Sequence, residues 1–87
     1  MCTYNTEQAA LCGSAKGRDG WFRVSQATVY YDHPVHAPAD HTLNIDFADP
    51  ADRAAGRVAV ELTAASAREL VAAIERALAA VPEALLT

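Results

Sequence analysis

The sequence predicts an α+β domain, a four-stranded antiparallel sheet with one C-terminal helix packed on a face (ββββα), and three observations carry that reading. Residues 41–47 and 57–62 alternate apolar and polar side chains, the period-two signature of strands with one buried face. Residues 21–31 are rich in aromatic and β-branched side chains and follow a run of turn formers. From residue 66 onward, apolar residues recur at three- and four-residue spacing behind a capping signal, as in an amphipathic helix. The 87 residues are read as a single domain, 1–87.

The first strand carries the weakest signal. Residues 3–14 mix small and polar side chains and lead into Lys16-Gly17-Arg18-Asp19-Gly20, where a hairpin turn is expected. A turn centred near Gly17 sets Cys12 opposite Phe22, Tyr4 opposite Tyr30 and Cys2 opposite Asp32, and a bulge near Gly13 or Gly20 shifts this pairing by a residue or two. The second strand ends at Tyr30 and Tyr31. In the third, His41, Leu43, Ile45 and Phe47 share the face expected to be buried, and Thr42, Asn44 and Asp46 share the solvated one. Residues 48–56, with Pro50, read as a turn, and residues 57–62 as the fourth strand. Thr63 or Ser66 caps the helix, Ser66 with Glu69 having the spacing of a capping box, and Pro82 discourages continuation beyond about residue 81. Its stripe of Leu70, Ile74, Ala77, Leu78 and Val81 is expected to cover the sheet.

Composition excludes some functions. A net charge of −4 with only seven Lys and Arg argues against nucleic acid, because binding to phosphates rests on clustered cations that displace counterions. The start lacks the basic and apolar runs of a signal peptide and no later segment suits a bilayer, so no membrane partner and a cytoplasmic protein are expected. In that compartment Cys2 and Cys12 are thiols, Cys12 expected in the core. A chain of this size has a marginal core of its own, and its alanine-rich helix offers a packing surface, so a homodimer is expected.

Residues 30–41 hold all three histidines, spaced H-x2-H-x4-H, and two prolines, Pro34 and Pro38, that stiffen the segment. Neutral imidazole is the commonest metal ligand, and zinc needs three or four donors at about 2 Å. His33, His36 and His41 are therefore the candidate ligands, with Cys2 as a fourth and Asp32 and Asp40 orienting the rings by hydrogen bonds. The cofactor expected is a divalent metal ion, zinc first, with copper, nickel or ferrous iron compatible with the same donors. In an enzyme that metal would activate water or polarise the oxygen of a small-molecule substrate, with Tyr30 or Tyr31 as the catalytic proton donor. Removal of Met1 would give Cys2 both an amine and a thiol, able to chelate metal or act as a nucleophile. The rival reading is a non-catalytic, dimeric small-molecule-binding or accessory protein, in which the loop only shapes a pocket.

With its opening Met1-Cys2-Thr3-Tyr4 and its central Tyr30-Tyr31-Asp32-His33-Pro34-Val35-His36-Ala37-Pro38, the chain resembles a family of short bacterial proteins of unknown function. The resemblance covers the whole chain, including Leu43-Asn44-Ile45-Asp46-Phe47, and implies a self-contained domain. It carries no activity and no assigned residues, so the site rests on the residue chemistry alone.

Overall fold

A computed structural model describes residues 4–87. Strands β1 (Thr6–Gly17), β2 (Gly20–Asp32), β3 (Thr42–Ala48) and β4 (Val58–Leu62) form one antiparallel sheet in the order β1-β2-β3-β4. Helix α1 (Ala64–Ala79) and a short 3-10 turn (Glu83–Leu85) follow. The ββββα, α+β architecture is the one expected from the periodicities.

The first hairpin turns at Arg18 and Asp19, with Gly17 paired to Gly20, rather than about Gly17 itself. The reason lies in Gly20, whose φ of +115° is a conformation that side chains disfavour, so the chain reverses just before it. A register shift between Ala10 and Gly13 then moves the pairing again, so that Thr6, not Tyr4, lies opposite Tyr30. Cys12 falls in this irregular stretch and is exposed, which corrects its expected place in the core. Pairing of Cys2 with Asp32 lies outside the described residues; on its other side Asp32 pairs with Thr42.

Across β2, β3 and β4 the register builds two rows that matter here. Tyr30, Asn44 and Glu61 stand side by side on one face, and Tyr31, Leu43 and Leu62 on the other. The polar row is the better covered. Thr42 is wholly buried and Asn44 only 5% exposed, whereas Leu43 and Ile45 on the apolar face are half-buried. This corrects the expectation that Asn44 is solvated. The buried Thr42 hydroxyl donates to Asn44 Oδ1 at 2.6 Å, which meets the cost of placing an amide in the interior.

The apolar face is less covered because α1 stands away from it. Thr63, not Ser66, is the N-cap, its Oγ1 accepting the Ser66 N–H at 3.1 Å. The helix then runs to Ala79, where the Ala80 N–H donates to the Arg76 carbonyl. None of its residues is buried, and Ile74, central to the predicted stripe, is 52% exposed. The stripe therefore flanks the sheet without closing on it. Val24 and Ala27 are the buried apolar residues among those described.

The connection between β3 and β4 is anchored at both ends. Asp49, nearly buried, accepts the Ser25 hydroxyl at 2.8 Å and the Ala51 N–H at 3.3 Å. Gly56 lies close against Phe22, and a Cβ at this position would sit 2.7 Å from the ring.

Candidate functional site

The loop between β2 and β3 has little regular structure to hold it, and Pro34 and Pro38 remove two of its amide donors. Side chains from its surroundings take over. Asp32 Oδ1 accepts the His33 N–H at 2.6 Å. The Glu61 carboxylate, reaching from β4, accepts three consecutive backbone N–H groups, those of Val35, His36 and Ala37, the last two at 2.9 Å. These bonds, Val35 first, hold the Glu61 carboxyl below its usual range, because they are made to the ionised form. Glu61 thus clamps the loop down over the polar face, above Asn44.

Clamping divides the three histidines. His41 stacks on Tyr31, ring centroids 5.9 Å apart and planes 11° from parallel. His33 stacks in turn on His41, with centroids at 4.5 Å. His33 Nδ1 lies 2.8 Å from the Asp40 carbonyl oxygen. A carbonyl only accepts, so Nδ1 carries the proton and, in the neutral ring, Nε2 carries the lone pair. Tyr4 adds a tilted ring 6.4 Å from Tyr31. The expected neighbours His33, His41, Tyr31, Asp32 and Asp40 therefore do assemble, Asp40 through its carbonyl.

His36 and Tyr30 belong elsewhere. They line a polar pocket of about 550 Å³ together with Asn44, Asp46, Arg57 and Glu61. The Tyr30 hydroxyl donates to Asp46 Oδ2 at 3.4 Å, and Arg57 Nη2 donates to Asp46 Oδ1 at 2.5 Å. Partial burial, and then the Asp46 charge, push the Tyr30 phenol above its ordinary value. Tyr30 and Tyr31 part company because successive strand residues point to opposite faces. Among the described residues no group of three or more His, Cys, Asp and Glu side chains is set to hold a metal ion, and Cys2 lies outside those residues.

A family model matches residues 1–87, the whole chain, and its description is a family of unknown function, DUF6295. The chain belongs to this family. No curated protein and no solved structure matches it. The resemblance carried by the Met1-Cys2-Thr3-Tyr4 opening and the Tyr30–Pro38 segment is thereby borne out. No helix among the described residues of this DUF6295 chain is long and apolar enough to cross a membrane.

Four residues of the polar pocket were not singled out as functional in the sequence: Asn44, Asp46, Arg57 and Glu61. Alternation places Glu61 on a polar face, as it would any solvated strand carboxylate. Only the pairing of Glu61 with Asn44, and of Asn44 with Tyr30, shows that this face lies beneath the histidine loop.

Proposed function

We propose that this DUF6295 chain is a small metal-binding protein whose site is built on His33 and His41. The observation that supports the reading is the stacked pair itself: two imidazoles with centroids 4.5 Å apart, one of them with Nδ1 tied to a backbone carbonyl. A carbonyl on the far nitrogen is the partner that orients metal-bound histidines and raises their basicity. Zinc is the first choice, since it accepts nitrogen and sulfur donors equally; copper, nickel and ferrous iron take the same set. Cys2 is the further donor proposed from this chain. His36, across the sheet, is not among the ligands. If the metal is catalytic, Tyr31, whose ring lies on His41, is the phenol beside it. The reading keeps the protein in the cytoplasm, where the exposed Cys12 thiol stays reduced.

The test is the metal content, by elemental mass spectrometry, of protein purified without chelator. Near-stoichiometric metal in the wild type, lost in the His33→Ala, His41→Ala double variant, is the expected result. A wild-type protein that arrives metal-free and takes up no zinc, copper, nickel or iron on dialysis would sink the proposal.

The polar pocket favours a second reading, a binding protein for a small polar molecule. His36, Tyr30 and Arg57 would supply donors there, and Asp46 and Asn44 acceptors. Under that reading the His36→Ala variant loses the ligand and the His33→Ala, His41→Ala variant retains it, so the two readings make opposite demands on the same proteins.

A further inference from the structure

The sheet face opposite the Glu61-clamped polar face, the face that carries Tyr31, is apolar and open. Between it and α1 runs a groove of about 560 Å³, lined by Val29, Leu43, Ile45 and Leu62 from the sheet side and by Val71 and Ile74 from the helix. Arg68 is the one charged side chain on its wall. Beyond the groove, Leu78, Leu85 and Leu86 are also exposed.

The shape of the single chain shows how much is missing. Its accessible surface is 6752 Å², against about 4,900 Å² for a folded monomer of its 9.2 kDa. Its radius of gyration is 14.5 Å, against about 12 Å for a compact domain of this length. The excess surface, about 1,800 Å² over the whole chain, includes the exposed strand β1 as well as the groove and is of the order of the roughly 1,000–2,500 Å² that each partner buries in an obligate dimer. With Val24 and Ala27 as its buried apolar residues, the described chain lacks the core that an isolated domain needs.

We infer that a second copy of this chain covers the groove, apolar face against apolar face, and supplies the rest of the core. A small molecule filling the groove would leave Leu78 and Leu85 in water, whereas a protein surface covers both. A partner chosen by charge finds one arginine to address. A second copy meets the requirement by symmetry, since a two-fold interface needs only a patch complementary to itself, and an apolar patch is. Tyr31, which stacks on His41, also lines this groove, so the interface would reach the proposed metal site, but the inference does not require the metal and is tested without it.

Sedimentation equilibrium in reducing buffer, so that Cys12 forms no disulfide, reads the mass directly. The wild type is expected at twice the 9.2 kDa chain, and Leu78→Asp and Ile74→Asp are expected to lower it to the single chain. Val35→Asp, at an 86% exposed position on the histidine loop, is expected to remain at twice the chain mass. Should the helix variants fail to fold, the wild type decides: a coupled dimer has an unfolding midpoint that falls on tenfold dilution, and a monomer's midpoint does not move. A folded wild type at single-chain mass, with or without a bound apolar molecule, overturns the inference. So do a midpoint indifferent to dilution and a dimer that Val35→Asp dissociates but the helix variants do not.

Discussion

Glu61 on the edge strand accepts the backbone N–H of His36, 25 residues earlier in the chain, at 2.9 Å. With the matching bonds from Val35 and Ala37, this carboxylate replaces the ladder that the loop lacks, and it holds His36 beside the polar pocket. An ionised acceptor makes each of these bonds stronger than a neutral one would.

Glu61→Gln should therefore loosen the loop. Hydrogen exchange at Val35, His36 and Ala37 is expected to quicken, with the β2 to β3 ladder unchanged. The pH dependence has a definite sign. Because the folded state holds the Glu61 carboxyl below its ordinary value of 4.5, its contribution is fully present above that pH and is lost as pH falls through the lower, folded value. Protection of the three amides should fall there in the wild type and stay flat in Glu61→Gln.

The two sides of the sheet should separate in zinc titrations. His33→Ala and His41→Ala are each expected to weaken zinc by more than the roughly 10–100-fold that loss of an orienting partner costs. His36→Ala should leave zinc affinity at the wild-type value, as measured by competition with a chromophoric chelator. Equal losses for all three would return His36 to the ligand set.

Thr42→Val removes the hydroxyl that satisfies Asn44 in a buried site while keeping the shape. An unpaired buried acceptor costs about 1–3 kcal/mol, so denaturant unfolding should show that loss, with Thr42→Ser recovering most of it.

Gly56→Ala places a methyl group 2.7 Å from the Phe22 ring. Overpacking of this kind costs about 1–3 kcal/mol. Trimming the ring in a Phe22→Leu background should make the same alanine nearly neutral, which a double-mutant cycle of thermal unfolding would reveal.

Asp46→Asn removes a negative charge that raises the Tyr30 phenol. In a spectrophotometric titration the Tyr30 transition should move down toward the ordinary value of 10.0 and stop short of it, because partial burial remains. A transition that does not move would detach Asp46 from the polar pocket's electrostatics.

Local chemistry was enough to read the elements. Alternation in 41–47 and 57–62, the β-rich run before Asp32, the capping signal ahead of α1 and Pro82 after it are properties of short windows, and backbone geometry converts them directly into strands and a helix. Gathering of His33, Asp40 and His41 was also legible, since a short stiff loop keeps near neighbours near. Three things were decided only in the tertiary structure. Gly20 and the bulge between Ala10 and Gly13 set the hairpin register. Glu61 held His36 over the polar face, away from His41, which alternation had already put on the face of Leu43. The cover of each sheet face came out opposite to the polarity pattern, with Asn44 sealed beneath the loop and Ile45 left half-open beside α1. The physical reason is common to all three. Periodicity says which residues share a face, but burial is the sum of whatever distant segments come to lie on that face, and those are chosen by contacts that no local window contains.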